Sequence, residues 1–203
     1  MKKIGILGGT FNPIHFGHLI IAEQALFEFN LDKVIIMPSG NSYLKKDMKI
    51  PEAALRLEMA RLAVRDNHSF FVSDMEIKRG GNTYTADTIE ELNSLYPDAS
   101  LFFITGADAL HEMKKWVTPE RIFSGCTVIT SVRNNESLTE LYLDIDFYKE
   151  HYDAKIEVLH TTNIDISSSM IRELIGQGRS VRYYLPEAVR MFIYERHLYE
   201  QQY

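Results

Sequence analysis

A chain of 203 residues, 45% hydrophobic and 25% charged, has the length and balance of one folded globular domain and excludes disordered and fibrous classes. Its formal net charge of −6 counts against a protein that tracks a nucleic-acid backbone, and no apolar run approaches the length that crosses a bilayer. The lone cysteine, Cys126, sits among apolar and β-branched residues and reads as a buried reduced thiol, which points to the cytoplasm.

Met1-Lys2-Lys3 opens the chain ahead of an apolar run at 4–7, but Gly5, Gly8 and Gly9 interrupt it too early for an export leader. That run reads instead as a first strand. Further short apolar runs follow at 34–37, 70–72, 101–105, 127–132 and 156–159. Between them, segments with apolar residues at three- and four-residue spacing begin near Gly17, Glu52, Thr85, Ala107, Leu138, Ser167 and Pro186. The alternation predicts a doubly wound α/β fold: one domain over 1–203, a parallel sheet covered on both faces, and a small helical segment at the C-terminal end. The predicted loops of any length are 39–50 and 133–137, with no repeat and no linker. Ligands of such sheets bind beyond the carboxyl ends of the strands, where strand order reverses, so the exit of the first strand is the place to look.

That exit reads Gly8-Gly9-Thr10-Phe11-Asn12-Pro13-Ile14-His15-Phe16-Gly17-His18 and runs into the apolar-periodic segment 19–29. Two glycines that let the backbone come close to a phosphate in a glycine turn, followed by free N–H groups at a helix N-terminus, would form an anion cradle. His15 and His18 are three apart and share a helix face, with Gly17 leaving space between them, so both imidazoles can reach one phosphate. A capping histidine beside a core histidine is the bland alternative; a zinc site lacks further ligands at the right spacing. Later, Ser167-Ser168-Ser169 precedes a helical pattern with Arg172 one turn on, which gives a cap, hydroxyl donors and a dipole aimed at anions, or simply an ordinary capped helix.

The glycine and histidine run closely resembles that of the bacterial nicotinate-nucleotide adenylyltransferases, a family of the His-x-Gly-His nucleotidyltransferase superfamily. Further landmarks fall in the family's order: Pro38-Ser39-Gly40-Asn41, Thr83-Tyr84-Thr85-Ala86-Asp87-Thr88, Gly106-Ala107-Asp108 with Trp116, Ile166-Ser167-Ser168-Ser169-Met170-Ile171-Arg172, and Arg182-Tyr183-Tyr184-Leu185-Pro186. One departure stands out. Where the family usually continues with Pro-Pro-His-Lys, this chain has Ser42-Tyr43-Leu44-Lys45, with Lys46 adjacent.

The resemblance implies a cytoplasmic, Rossmann-like enzyme of NAD biosynthesis that moves AMP from ATP onto nicotinate mononucleotide, with magnesium carried on the substrate phosphates and no dedicated metal ligands. It implies ATP contacts from Gly8, Gly9, Thr10, Phe11, His15, His18, Gly106, Asp108, Ile166, Ser167, Ser168, Ser169 and Arg172. For the acceptor it implies Asn12, Lys45, Tyr84, Thr85 and Trp116; Arg133, from its position after the fifth strand, is a further candidate there. His15, His18, Lys45 and Arg172 are the expected catalytic groups. Trp116 would stack on the pyridine ring, or else serve as a core residue of a helix running over 107–116; Asp108 would accept from ribose hydroxyls, or cap that helix. Another small transferase of the superfamily and a catalytically silent nucleotide- or RNA-binding module are the rival readings, and self-association is left open. The acidic, tyrosine-rich stretch 140–153 has no functional reading.

Overall fold

Six strands pair in parallel in the order β3-β2-β1-β4-β5-β6: β1 (Lys2–Gly9), β2 (Lys33–Pro38), β3 (Phe70–Val72), β4 (Ala99–Gly106), β5 (Thr127–Arg133) and β6 (Ile156–Thr161). The structure is a computed structural model, and it describes residues 1–40, 50–133, 138–162 and 164–200. All six predicted runs are strands, extended by a residue or two where the ladder continues past the apolar stretch.

The apolar runs lack polar alternation because both faces of each strand are covered. Ile4, Ile6, Ile35, Met37, Leu101 and Phe103 turn to one face, Leu7, Val34, Ile36, Ile104 and Ile129 to the other. Against the first face pack α4 (Thr85–Leu95), α5 (Ala107–Glu112), α6 (Pro119–Gly125) and α7 (Leu138–Tyr152), through residues such as Ile89, Leu110, Phe123 and Ile145. Against the second pack α1 (Phe16–Glu28), α2 (Ala53–Val64), α8 (Ser168–Gly176) and α9 (Glu187–Glu195), through Ala22, Met59, Ile171 and Ile193. Ile4 and Ile6, each 1% exposed, contribute about 1.5–3 kcal/mol apiece by burial.

Three expectations need correction. Gly8 and Gly9 do not turn the chain; they extend β1, paired with Met37 and Pro38, and the turn falls on the next four residues, where Phe11 takes φ 48°. Two helices were not expected, α3 (Met75–Arg79) and α6; both are too short for a helical period to show, and α6 starts with Pro119 in its first turn. The single helix over 107–116 is broken: α5 stops at Glu112, a 3-10 turn covers Met113–Lys115, and Trp116 leaves it in extended conformation.

The tyrosine-rich stretch has a structural explanation. Tyr148 on α7 is fully buried; its hydroxyl donates to the Leu110 carbonyl at 2.7 Å and accepts the Lys114 N–H at 2.8 Å, so it ties α7 to the end of α5. Cys126 is free and buried, and burial pushes its thiol up to about 12. No helix among the described residues is long and apolar enough to cross a membrane.

Candidate active site

β1 lies between β2 and β4, and the helices that follow β1 and β4 cover opposite faces of the sheet, so strand order reverses at this pair. The crevice beyond their carboxyl ends is where the histidine motif sits.

His15 is the N-cap residue of α1 and His18 its third residue. The His15 N–H donates to His18 Nδ1 at 3.2 Å, and the two rings lie 3.7 Å apart with planes 31° from parallel. Phe11 meets His18 edge-on at 5.1 Å. Gly17 is the residue that permits the pairing: a Cβ there would stand 3.0 Å from His15 Nδ1 and 3.4 Å from the Ile166 carbonyl oxygen. The capping and phosphate-facing readings of the histidines are therefore compatible. With Nδ1 accepting, a neutral His18 carries its proton on Nε2, the edge it can offer to an anion.

The backbone half of the expected cradle is largely committed inside the protein. The Phe16 N–H donates to the Tyr184 carbonyl at 3.0 Å, and the His18 and Leu19 N–H groups to the His15 carbonyl at 3.0 and 3.3 Å. The first turn of α1 therefore has its imidazoles, more than its amides, to present to the crevice. The same contact explains the Arg182-Tyr183-Tyr184-Leu185-Pro186 segment, whose Tyr184 carbonyl caps α1 from the far end of the sequence.

α8 docks directly on the turn after β1. Its N-cap Ser167 accepts the Met170 N–H at 3.2 Å, and Ser168 Oγ donates to the Pro13 carbonyl at 2.9 Å. Arg172 donates through Nη1 to the Asn12 carbonyl at 2.8 Å and through Nη2 to Ser169 Oγ at 3.3 Å, so part of its fork holds the turn. The Asn12 side chain is 4% exposed, and neither of its amide atoms has a hydrogen-bond partner among the described residues.

Two cavities flank this turn. One, of about 270 Å³, is lined by His15, Gly17, His18, Thr161, Ile166, Ser167 and Ser168. The other, of about 290 Å³, is lined by Gly8, Gly9, Thr10, Ser39, Glu76, Thr83, Tyr84, Thr85 and Trp116. Trp116 stands edge-on to Phe103 at 6.3 Å, packed against the core and also in the wall of this cavity. Of the residues expected at ATP, His15, His18, Ile166, Ser167 and Ser168 share the first cavity, Gly8, Gly9 and Thr10 line the second beside Tyr84, Thr85 and Trp116, and Phe11, Ser169 and Arg172 line neither, nor does Asn12, expected at the acceptor.

Asp108 lies apart from both. It is in the first turn of α5 without capping it, and faces a third crevice of about 320 Å³ shared with His111, Glu140 and Asp144. At Gly106 an added Cβ would meet nothing nearer than Ser131 Oγ, at 3.9 Å, so the protein's own packing does not require glycine there. Lys45 falls outside the described residues, as does the side chain of Arg133, whose backbone ends β5.

Sequence reasoning missed two residues. Arg56 on α2, 3% exposed, donates to the carbonyls of Thr10 at 2.8 Å, Gly40 at 3.0 Å and Pro51 at 3.2 Å, and burial pushes its guanidinium below the ordinary value. The available signal was its place on the apolar stripe of α2, three and four residues before Met59 and Ala60. Glu76 on α3, 8% exposed, accepts from Thr88 Oγ1 at 2.7 Å, from Thr83 and from the Gly40 N–H; burial pushes its carboxyl up against the pull of these partners and of Arg79.

Residues 6–174 match the cytidylyltransferase-like family. A probable nicotinate-nucleotide adenylyltransferase of Lachnoclostridium phytofermentans is 43% identical over 98% of this chain and 100% of its own length. One of Citrifermentans bemidjiense is 44% identical over 97% of this chain and 98% of its own. The solved structure of Plasmodium falciparum nicotinic acid mononucleotide adenylyltransferase complexed with NaAD has the same fold, with TM-score 0.79 at 18% identity over 98% of each chain.

Proposed function

The chain belongs to the cytidylyltransferase-like family and, within it, to the nicotinate-nucleotide adenylyltransferases, and we propose that its two flanking cavities hold the two substrates of that reaction. The enzyme transfers AMP from ATP to nicotinate mononucleotide, giving nicotinate adenine dinucleotide and pyrophosphate in NAD biosynthesis. The observation that carries the assignment of sites is the turn after β1, which separates a histidine- and serine-lined cavity from one walled by Trp116, Tyr84 and Thr85. ATP takes the first and the mononucleotide the second.

A phosphate oxygen of the acceptor attacks the α-phosphorus of ATP; the bond from that phosphorus to the bridging oxygen breaks, and pyrophosphate leaves with the electron pair. The attacking phosphate is already ionised near neutral pH, so no general base is needed. Alignment in line and stabilisation of charge on the transferring group are the enzyme's tasks. His18 donates from Nε2 to an α-phosphate oxygen, with His15 beside it. Ser167, Ser168, Ser169 and the remaining donors of Arg172 face the outer phosphates, and Lys45 supplies a further cation. The buried Asn12 amide, which would otherwise cost about 1–3 kcal/mol unpartnered, offers both a donor and an acceptor to a substrate at the turn.

The donors around the histidines are imidazole, hydroxyl and guanidinium groups, which suit magnesium that arrives on the triphosphate with its waters and asks for no carboxylate cage. Bound in that way, magnesium would offset negative charge on the phosphates. A buried reduced Cys126 fits the cytoplasm, where this metabolism belongs.

The assignment is tested by product identification. ATP and magnesium are supplied with nicotinate mononucleotide, nicotinamide mononucleotide or phosphopantetheine, and the adenylylated product is resolved chromatographically. Nicotinate adenine dinucleotide as the dominant product is the expected result; a dominant adenylylated pantetheine would replace this reading with the neighbouring transferase.

A further inference from the structure

Gly40, just beyond β2, is gripped at both of its polar groups. Its N–H donates to the Glu76 carboxyl, and its carbonyl accepts from Arg56 Nη2 at 3.0 Å. There is no room for a side chain, since a Cβ would stand 2.7 Å from the Glu76 carbonyl oxygen and 3.0 Å from Thr83 Cγ2. The chain leaving β2 can therefore approach α3 this closely only through glycine.

The two grips reach further. Arg56 also holds the Thr10 carbonyl at 2.8 Å, so one guanidinium spans the exits of β1 and β2. Glu76 also accepts from Thr83 and Thr88, so one carboxyl ties the exit of β2 to the segment that carries Tyr84 and Thr85. All of this lies around the cavity assigned to the acceptor, which Thr10, Ser39, Glu76, Thr83 and Thr85 line. Arg56 gives its donors to three backbone carbonyls, Thr10, Gly40 and Pro51. A lysine has no planar fork with which to reproduce that.

We propose that Arg56 and Glu76 form a positioning pair: by holding Gly40 from its two sides, they set the acceptor cavity in register with the histidine cradle after β1. The proposal rests on the assignment of that cavity to the mononucleotide. In-line transfer is sensitive to such register, because a displacement of about 1 Å can cost on the order of a hundredfold in rate.

The test compares Arg56→Lys, Glu76→Gln and the double variant with wild type in steady-state kinetics, varying ATP and nicotinate mononucleotide independently, with melting temperatures in parallel. Each single variant should lower kcat/KM for the mononucleotide about tenfold or more while KM for ATP stays within about twofold, as expected for misplacement confined to one substrate. The double variant should lose little more than the worse single, because both act on one residue. If Arg56→Lys does not fold, Glu76→Gln and Gly40→Ala carry the same comparison. A KM for ATP raised as much as that for the mononucleotide, or a lower melting temperature with unchanged kcat/KM for the mononucleotide, would overturn the pair. An inactive wild type would overturn the acceptor assignment and the pair together, whereas an active wild type with unshifted variants overturns the pair alone.

Discussion

His18 accepts the His15 N–H on Nδ1 at 3.2 Å, and in doing so caps the helix that carries it and fixes the side of its ring that bears the proton. Replacing His18 by alanine removes both functions. The lost hydrogen bond to the N-cap amide should cost about 0.5–1.5 kcal/mol of stability, and the lost donor about a hundredfold to a thousandfold in kcat. Melting temperature and turnover, measured on the same preparation, separate the two. Turnover within a few-fold of wild type would remove His18 from the transition state.

Gly17 makes the imidazole pair possible. An alanine there would place Cβ 3.0 Å from His15 Nδ1. Alanine is the better helix former by about 1 kcal/mol, so Gly17→Ala should keep or slightly raise the melting temperature while it displaces His15 and lowers turnover by about tenfold or more. A fully active Gly17→Ala variant would mean that the position of His15 does not matter to the reaction.

Trp116 is the only tryptophan in the chain and lines the cavity assigned to the acceptor. Intrinsic tryptophan emission should therefore change on titration with nicotinate mononucleotide and not with a non-cyclic phosphate. Trp116→Phe should raise the acceptor KM modestly, and Trp116→Ala by about tenfold, in keeping with the roughly 0.5–1.5 kcal/mol of an aromatic contact beyond its area. A change in the ATP KM alone would exchange the two cavities.

Glu76 links stability to pH. Burial raises its carboxyl above the ordinary value of 4.5, against the opposing pull of Arg79, Thr88, Thr83 and the Gly40 N–H, with Arg56 also nearby. The folded chain then holds this proton more tightly than the unfolded chain. Stability from this group is full below the unfolded value and is lost as pH rises from about 4.5 through the raised folded value. Melting temperatures of wild type and Glu76→Gln, compared over that range, should show wild type losing ground as pH climbs. A constant difference between them would show that the carboxyl is not shifted.

The fold was legible because each strand announces itself. Runs such as Ile4, Ile6 and Leu7 are continuous because both faces are covered, and α1, α4 and α8 carry apolar positions at helical spacing. The short helices α3 and α6 were not legible, since five and seven residues cannot establish a period. The histidine pair was legible from its spacing, and Trp116 from the family resemblance. The commitment of the α1 amides was not, because it depends on Tyr184, which lies 168 residues beyond Phe16 and meets it only in the folded chain. Arg56 and Glu76 escaped notice for a related reason: their partners are mostly backbone groups of Thr10, Gly40 and Pro51, and side-chain types alone do not say which carbonyls a buried arginine will meet.

The central claim is that the histidine turn after β1 carries AMP from ATP to nicotinate mononucleotide, and pyrophosphate release tests it most directly. Wild type and His18→Ala, each verified as folded, are supplied with ATP, magnesium and nicotinate mononucleotide. Release that depends on the mononucleotide and falls at least about a hundredfold in the variant is the predicted result. Release independent of the mononucleotide, or undiminished in the variant, would contradict it.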